Sequence, residues 1–362
     1  MKFTDNNLIK IAEKVESGNR LDYEDGLMID NSADLLGVGH LANIVRERIN
    51  GSAAYFISNR HINHTNVCVN SCKFCAFSRK AEDDDAYTMM IDKVLEEAHM
   101  HDGDNFSEFH IVGGLHPTLP YSYYVEMISS LRGEFPNVHL QAFTAVEIVH
   151  LSMISGKSTR VVLEELKNAG LGSLPGGGAE IFSNRVRKKI CPEKIDGKEW
   201  LAVHKTAHDI GLNTNATMLY GHIESAEDRV DHLLLLREAQ DRSGGFLTFI
   251  PLAFHPRNTA YEEIGRTSGV MDLKMIAMSR LMLDNFPHIK AFWIMTGEKL
   301  AQISLSFGAD DLDGTVVEEK ITHAAGATTN QGLTKQRLEE LVHEAGRSPV
   351  ERDTVYNVVG IV

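Results

Sequence analysis

Residues 61–80, HINHTNVCVNSCKFCAFSRK, contain three of the four cysteines of the chain. Cys68, Cys72 and Cys75 form a C-x3-C-x2-C run, and thiolates clustered on one loop select zinc, copper(I) or an iron–sulfur cluster. Structural zinc takes four protein ligands, but the remaining cysteine, Cys191, lies far along the chain in the stretch KKICPEK. The run therefore predicts a metal site with three local thiolates and one open position, at which a ligand can bind and react.

The composition is that of a large enzyme, and it argues against two classes of partner. The chain has 362 residues, 43% of them apolar, and a formal net charge of −14. Negative charge of this size disfavours binding to nucleic acids and to anionic membranes, and no apolar run is long enough to span a bilayer. The N-terminal stretch MKFTDNNLIKIAEKVESG lacks a secretory hydrophobic core. We therefore expect a cytoplasmic protein, whose cysteines stay reduced.

Short β-rich runs alternate with amphipathic helical patterns, which is typical of parallel βα units. Strands are predicted at 54–58, 108–112, 140–145, 172–174, 215–219, 247–252, 291–295 and 309–312. Helices are predicted between them at 92–101, 121–135, 159–169, 198–210, 226–241 and 272–285. Eight such units predict an α/β fold, a (β/α)8 TIM-type barrel. The predicted organisation is one domain of residues 1–362, with flanking helices in 1–50, the barrel core in 51–330, and a C-terminal helix and tail in 331–362.

Two glycine-rich turns follow predicted strands, at the end of the barrel where functional groups gather. Gly113 and Gly114 come after the second strand, and Gly177 and Gly178 come after the fourth. Glycines let the main chain approach a ligand closely, although a tight turn between strand and helix uses the same pattern. Glu180 follows the second turn and is placed to accept hydrogen bonds from ribose hydroxyls, as an acid does in dinucleotide folds. No Lys-Ser/Thr pair follows, so the turn is not a P-loop.

The cysteine run, with Phe74 directly before its last cysteine, resembles that of the radical S-adenosylmethionine (SAM) superfamily. This resemblance implies that Cys68, Cys72 and Cys75 hold three irons of a [4Fe–4S] cluster, and that the fourth iron binds SAM. A zinc-binding or disulfide-bonded loop can imitate the spacing. Such a loop would not account for the glycine turns.

The same resemblance assigns SAM-binding roles to several residues. It implies that the backbone of Gly113 and Gly114, in VGGLHP, binds the amino group of SAM. Thr217 and Gly221, in TMLYGHIE, match an element that packs near the SAM adenine, although an ordinary buried strand that ends in a turn fits them as well.

The basic stretch after the second glycine turn contains a candidate for the SAM carboxylate. We select Lys194, and we expect most of the other basic residues in 185–189 to lie on a solvated helix face. Cys191 is expected to be a buried or incidental thiol rather than a metal ligand.

A partly cationic group of residues is predicted at the mouth of the barrel. His255 and Arg257 follow the sixth strand, and Asn63 and His64 precede the cysteine run. In an acidic protein, basic residues that converge on one face indicate an anionic substrate, and arginine suits bidentate binding of a carboxylate. We predict these four residues as catalytic or substrate-contacting groups, with Arg257 as the leading carboxylate ligand. Glu147, after the third strand, is a further candidate.

Within the superfamily, HIVGGLHP, SLPGGGAEIF and FIPLAFHP resemble a small group that acts on menaquinone and deazaflavin precursors, and LPGGGAEIF and DLDGTVVEEKITHAAGA are most similar to the aminofutalosine synthases. This implies that an adenosyl radical from SAM adds to the aryl enol ether dicarboxylate 3-[(1-carboxyvinyl)oxy]benzoate, that the aryl group migrates, and that bicarbonate and methionine are released. A reductant such as flavodoxin or ferredoxin is the implied partner. The alternatives are cyclic dehypoxanthinyl futalosine synthase or an FO synthase subunit, which abstract hydrogen, and a non-radical zinc or redox iron–sulfur protein.

Overall fold

The computed structural model describes residues 2–100, 106–317 and 319–361. Its strands are β1 (Ala53–Ile57), β2 (Asn59–Ile62), β3 (Glu108–Ile111), β4 (His139–Ala142), β5 (Ser173–Leu174), β6 (Asn213–Tyr220), β7 (Phe246–Ala253), β8 (His288–Ile289), β9 (Asp311–Gly314), β10 (Ser348–Arg352) and β11 (Val358–Ile361). Its helices are α1 (Asn7–Glu16), α2 (Tyr23–Asn31), α3 (Leu35–Asn50), α4 (Ile91–His99), α5 (Tyr121–Glu134), α6 (Ala145–Ser155), α7 (Thr159–Ala169), α8 (Asn184–Ile190), α9 (Gly197–Asp209), α10 (Ala226–Ser243), α11 (Gly269–Met282), α12 (Trp293–Thr296), α13 (Glu298–Ser304), α14 (Ile321–Ala324) and α15 (Lys335–Glu344), with a short 3₁₀ helix at Glu262–Ile264.

The strands curl into a parallel barrel. β2 to β8 form one parallel sheet in chain order, and β9 pairs in parallel with β1, which a single residue separates from β2. Backbone hydrogen bonds connect the β9 region to both of its neighbours, from Ala291 to Asp311 at 2.8 Å and from Thr315 to Ile57 at 3.1 Å. The predicted TIM-type α/β fold is confirmed.

Helices cover the outside of the barrel. Strands of a parallel barrel are buried on both faces, and β6 accordingly has seven buried residues in succession after its first. The predicted N-terminal flanking helices are α1 to α3, and α3 packs against α11. In the part of the chain that the structure describes, no helix is both long enough and apolar enough to cross a membrane.

The prediction of a seventh strand at 291–295 is wrong. The strand there is the shorter and earlier β8, and residues 293–296 form α12 instead. The run AFWIM is apolar throughout, and hydrophobicity alone does not distinguish a buried strand from a buried helical turn. The indole of Trp293 donates a hydrogen bond to the carbonyl of Gly314 at 2.9 Å, which holds this turn against β9.

The C-terminal tail forms a strand pair that the sequence did not predict. The predicted terminal helix is α15, and after it β10 pairs in parallel with β1, while β11 pairs antiparallel with β10. Arg352, on β10, forms a buried ion pair with Asp311 of β9 at 2.6 Å, and the hydroxyl of Tyr356 donates to the same carboxylate at 2.7 Å. The tail is therefore anchored to two barrel strands.

Candidate active site

A cavity of about 350 Å³ lies within the barrel and at the carboxyl ends of its strands. Catalytic groups of barrel enzymes gather at this end. Most of the residues singled out in the sequence line it together, namely Cys68, Cys72, Cys75, Gly113, Gly114, Glu147, Gly177, Gly178, Glu180, Lys194, Thr217 and His255. Loops that are distant in sequence therefore converge on one chamber.

Asn63 and His64 lie outside the lining of this cavity. Both are buried, and the Asn63 amide donates to the carbonyl of Val112 at 3.0 Å. The ring of His64 packs among aromatic side chains, with centroids 5.8 Å from Tyr124 and 6.3 Å from Phe143. Burial lowers the pKa of His64 to about 4, so its ring is neutral. Its position is that of a packing residue behind the glycine turn.

Arg257 and Gly221 also lie outside the lining. Arg257 is exposed, and its aliphatic stem lies against Gly326. Gly221 has a φ of +87° and donates its N–H to the Glu224 carboxylate at 2.7 Å, which closes the turn after β6. These positions give no direct support to the roles predicted for the two residues, whereas His255 lies on the cavity wall with Nδ1 3.1 Å from the Ala253 carbonyl.

The cysteine loop presents three half-buried thiols to the cavity. The Cys75 N–H donates to the Cys72 carbonyl at 3.1 Å, and the Cys68 N–H donates to the Arg79 carbonyl at 2.9 Å. In the described residues, no three His, Cys, Asp or Glu side chains are arranged around a single metal ion. The thiolates that hold a [4Fe–4S] cubane lie farther apart than the ligands of a single metal ion, because each thiolate binds a different iron. Three thiols with no fourth protein ligand fit a [4Fe–4S] cluster with one open iron.

Burial affects the protonation of Cys72, one of the three predicted cluster ligands. It raises the pKa of Cys72 to about 12, although the charge of Lys194 acts in the opposite direction. Thiolate is the form that binds a metal, so cluster assembly must release this proton. Cys191 is buried after α8, as the sequence predicted, and it is absent from the lining formed by the described residues; that it is not a metal ligand stays a prediction.

Gly113 and Gly114 form a close-packed turn between the cysteine loop and β3. A Cβ at Gly113 would lie 2.6 Å from the His64 ring, and a Cβ at Gly114 would lie 2.2 Å from the Val67 carbonyl oxygen. The Gly114 N–H donates to the Thr65 carbonyl at 2.9 Å. Because this N–H is engaged, the carbonyl oxygens of the turn are the groups left to accept hydrogen bonds from a ligand ammonium group.

Replacing Gly114 with alanine tests this close packing. The added methyl group must displace the backbone next to Cys68, and we expect a loss of about 1–3 kcal/mol of stability, as for an overpacked site, together with reduced cluster retention. Gly133→Ala is the matched control, because a Cβ there meets nothing within 4 Å. Unfolding by denaturant and iron content per chain provide the measurements. Equal iron content in the two variants would contradict the prediction.

Glu147 joins the glycine turn to the start of α6. One carboxylate oxygen accepts the Gly113 N–H at 3.1 Å, and the other accepts the Thr144 N–H at 2.7 Å and its hydroxyl at 2.8 Å, which completes a capping box. Burial raises the pKa of Glu147 to about 7, although these hydrogen bonds act to lower it. Glu147 therefore positions two of the loops that line the cavity.

Glu180 and Lys194 form a nearly buried ion pair on the cavity wall. The Lys194 ammonium lies 2.6 Å from the Glu180 carboxylate and 5.1 Å from the centre of the Phe74 ring. Phe74 directly precedes Cys75 in the sequence. Burial alone would lower the pKa of Lys194, but Glu180 and the thiols of Cys72 and Cys191 raise it above its ordinary value. Lys194 thus remains a cation beside the cluster loop.

The backbone at Glu180 is unusual, and a buried arginine supports it. Glu180 has a φ of +46°, a conformation that side-chain-bearing residues rarely adopt and that the surrounding structure must hold in place. Arg187 donates to the Ala179 carbonyl at 2.5 Å and to the Ile181 carbonyl at 3.2 Å, on either side of Glu180. Most of the basic residues in 185–189 are exposed, as expected, namely Arg185, Lys188 and Lys189. Arg187 is the exception, and it is buried because its guanidinium satisfies these carbonyls.

The second glycine turn is packed against neighbouring strands and helices. A Cβ at Gly176 would lie 2.8 Å from the Ala216 backbone, and the Thr217 hydroxyl donates to the Gly176 carbonyl at 2.7 Å. Gly178 has a φ of +85°, and a Cβ there would lie 2.4 Å from Val146. Glycine is required at this turn, and Thr217 connects it to β6.

Glu319 is a cavity residue that sequence reasoning missed, although it lies in the quoted DLDGTVVEEKITHAAGA stretch. It accepts from the Thr322 N–H at 2.8 Å and from Nδ1 of His323 at 2.9 Å, and Nε2 of His323 lies 2.9 Å from the Thr329 carbonyl. Both ring nitrogens face acceptors. The hydrogen bond to Glu319 raises the pKa of His323 to about 9, so the ring is an imidazolium at neutral pH.

The raised pKa of His323 predicts a pH-dependent contribution to stability. The imidazolium stabilises the fold fully below the unfolded pKa, near 6.5, and this contribution is lost as the pH rises through about 9. We expect His323→Gln to cost about 1 kcal/mol at pH 6, after allowance for solvent screening, and little at pH 10. Chemical unfolding of both proteins at the two pH values measures the difference. A cost that does not change with pH would exclude the imidazolium.

Two family models match successive parts of the chain. The model of the radical SAM superfamily matches residues 62–236, and the model described as the CofH/MqnC C-terminal region matches residues 243–362. Aminodeoxyfutalosine synthase of Thermus thermophilus is 47% identical over 99% of this chain and 97% of its own length.

A second type of relative is less similar. The 5-amino-6-(D-ribitylamino)uracil–L-tyrosine 4-hydroxyphenyl transferase of Methanopyrus kandleri is 39% identical over 97% of this chain and 95% of its own. Among solved structures, methylornithine synthase matches with a TM-score of 0.74 and 16% identity over 94% of this chain and 97% of its own. The structural match shows the shared fold, and the sequence matches extend over the whole barrel and tail.

Proposed function

We propose that this chain, which belongs to the radical SAM superfamily and within it to the aminodeoxyfutalosine synthase family, is a transferase that joins the adenosyl group of SAM to 3-[(1-carboxyvinyl)oxy]benzoate. With water as the further reactant, the products are aminodeoxyfutalosine, methionine and bicarbonate, on the route to menaquinone. The observation that carries this proposal is the 47% identity along almost the whole chain, against 39% for the tyrosine 4-hydroxyphenyl transferase.

The residues on the cavity wall fit a cluster and SAM. Cys68, Cys72 and Cys75 would hold the cluster, which, when reduced, supplies the electron that cleaves SAM into methionine and an adenosyl radical. Glu180 would accept hydrogen bonds from the ribose hydroxyls. The remaining N–H groups of Lys194 would bind the SAM carboxylate while its charge offsets that of Glu180.

The rest of the cavity would position the enol ether and exclude water. Its apolar wall comprises Leu115, Ile250, Leu252, Phe254, Phe292 and Met295. Holding the vinyl carbon against the adenosyl group is a large catalytic contribution in itself. An apolar wall also offers few polar groups with which the reactants can form competing contacts. The chain would act by orientation rather than by acid–base chemistry on the reacting carbons.

The decisive experiment follows the adenosyl carbons. Reduced, reconstituted enzyme is incubated with adenosine-labelled SAM and 3-[(1-carboxyvinyl)oxy]benzoate. We expect the label in an aryl ketone nucleoside, methionine in equal amount, and 5′-deoxyadenosine as a minor product. Tyrosine with 5-amino-6-(D-ribitylamino)uracil, supplied in a parallel reaction, should not be consumed. Stoichiometric 5′-deoxyadenosine would indicate hydrogen abstraction and would refute the addition reaction.

The proposal extends to the setting of the enzyme. A flavodoxin or ferredoxin would supply the electron, and a cytoplasmic location would keep the cysteines reduced for cluster assembly. Residues 1–362 would act as one domain, because strands of both matched regions form one barrel and the Arg352–Asp311 pair anchors the tail to it. The proposed electron donor can be tested by mixing the reconstituted enzyme with purified reduced flavodoxin or ferredoxin and measuring reduction of the cluster.

A further inference from the structure

The barrel interior contains polar side chains that the proposed binding of the cluster and SAM does not use. These residues, here called the interior belt, are carried by the strands or lie directly after them: Asn59, His61, His110, Gln141, Lys290 and Asp313. Interiors of TIM-type barrels are usually filled by bulky branched apolar residues. A belt of polar groups that faces a cavity, with four members buried and the two histidines half-buried, therefore calls for a polar ligand.

The belt lies deeper in the barrel than the groups assigned to the cluster and SAM. Its members lie on or next to β2, β3, β4, β8 and β9, whereas the cysteines, both glycine turns and Lys194 lie on loops that follow the strands. Loops at the carboxyl ends of parallel strands form the mouth of a barrel. A substrate whose reacting end lies at the mouth would therefore direct its other end towards the belt.

Lys290 is the cation of the belt, and its hydrogen-bonding capacity is not exhausted. It is 6% exposed, and its ammonium lies 2.8 Å from the Asp313 carboxylate. Among the described residues, Asp313 is its one hydrogen-bond partner. An ammonium has three N–H donors, so two are left for a ligand in a cavity where burial makes unpaired donors costly.

Two imidazoles line the same cavity as this lysine. His61 and His110 are stacked with ring centroids 4.6 Å apart, and His110 Nδ1 lies 3.0 Å from the Gln141 amide oxygen. Burial, helped by the charges of the nearby His110 and Lys290 and opposed by Glu319, lowers the pKa of His61 to about 3. The His61 ring is therefore neutral. Its backbone N–H donates to the Val317 carbonyl at 3.2 Å, but its ring N–H has no hydrogen-bond partner within the residues that the structure describes.

The acidic groups of this part of the cavity each have a partner, and that of Glu319 is His323. Asp313 pairs with Lys290, and the Glu108 carboxylate lies 3.4 Å from the Asn59 amide nitrogen. The donors of the belt that have no partner among the described residues include two N–H groups of the Lys290 ammonium and one ring N–H of His61. Donors of this kind match a carboxylate.

We propose that Lys290 binds the ring carboxylate of the aryl substrate, with His61 beside it as a neutral hydrogen-bond donor. This inference rests on the proposed function, since it takes the enol ether of 3-hydroxybenzoate as the substrate. The vinyl carbon must reach the adenosyl group at the mouth. The carboxylate on the ring is the charge at the opposite end, and it would reach the belt.

A cycle that combines one substitution with one change of substrate tests the contact. Turnover by the reconstituted holoenzyme is measured with 3-[(1-carboxyvinyl)oxy]benzoate and with 2-phenoxyacrylate, which lacks only the ring carboxylate. A hydrogen bond to a charged group corresponds to about 10- to 100-fold in kcat/KM. We expect the unmodified enzyme to prefer the dicarboxylate by about this factor and Lys290→Gln to reduce the preference to a few-fold, with the affinity for SAM and the iron content unchanged.

Two further variants keep the test decisive. Lys290→Gln leaves Asp313 buried without its cation, so the double variant Lys290→Gln with Asp313→Asn repeats the test without that charge. Lys335→Gln, which removes a lysine paired with Glu351 at 2.6 Å on the C-terminal helix, should keep the full preference. An undiminished preference in the folded double variant, or no preference in the unmodified enzyme, would refute the inference. If the unmodified enzyme consumed neither ether, the proposed function would be wrong and the inference with it.

Discussion

Replacing Cys68, Cys72 or Cys75 with alanine is expected to abolish both cluster assembly and activity. Each of the three thiols lines the cavity, and each would be the sole protein ligand of one iron. Apart from the metal, the loop is held by backbone hydrogen bonds such as that from Cys68 to Arg79 at 2.9 Å. The variants should therefore fold and fail specifically in iron and sulfide content after anaerobic reconstitution.

Cys191→Ala is the matched control for the cysteine variants. Cys191 is buried outside the cavity lining, so the substitution should cost about 1 kcal/mol through lost packing and leave the cluster intact. Electron paramagnetic resonance of the reduced protein, with and without SAM, reports both cluster assembly and the open iron. Loss of iron in the Cys191 variant with retention in a Cys72 variant would reverse the ligand assignment. A reduced signal that SAM does not perturb would refute the open position.

Lys194→Met is expected to have the second largest effect, because it removes one partner of a nearly buried pair. Glu180 would keep a charge in a cavity wall where its side chain is 8% exposed. Breaking a buried ion pair on one side costs about 3–5 kcal/mol. SAM binding should fall as well, because the cation assigned to its carboxylate is gone. Denaturant unfolding and equilibrium SAM binding, measured separately, distinguish the two losses.

Substitutions of Glu180, the ion-pair partner of Lys194, distinguish the contribution of the pair to stability from its contribution to SAM binding. Glu180→Gln keeps the volume of the side chain but removes the charge that strengthens its hydrogen bond to a ribose hydroxyl of SAM. A hydrogen bond to a charged group is worth about 1.5–3 kcal/mol, so SAM affinity should fall while the cluster spectrum stays normal. The double variant that combines Glu180→Gln with Lys194→Met leaves no unpaired charge, so it should recover much of the stability lost in Lys194→Met. It should not recover the SAM affinity. Lys205→Met breaks an exposed pair with Asp209, 2.7 Å long, and should change neither quantity appreciably. Unaltered SAM affinity in both cavity variants would leave the pair a purely structural role.

The barrel and the cluster loop could be predicted from sequence because both depend on local patterns. Cys68, Cys72 and Cys75 lie on one short loop, so their spacing predicts a metal site, and its resemblance to the radical SAM motif predicts the cluster ligands. Alternation of short apolar runs with amphipathic helices similarly predicts parallel βα units whatever the details of their packing. The misplacement of the seventh strand marks the limit of this reasoning, since an apolar run does not reveal whether it is extended or helical.

Which polar side chains reach the cavity depends on strand register and loop path, and local sequence does not determine either. Arg257 follows β7 as predicted, yet the path of its loop leaves it exposed, while Lys290 and Asp313 from other strands face the interior. Arg187, one of several basic residues in a row, is buried because the strained turn at Glu180 presents carbonyls to it. The sequence by itself determined the order of the barrel units, through periodicity, and it brought three thiols together on one loop, through their spacing. Tertiary structure alone decided the pairing of Glu180 with Lys194, the interior belt and the anchoring of the tail. The path of the connection around α8 brings Glu180 to Lys194, and the packing of strands that are distant in sequence forms the belt and holds the tail.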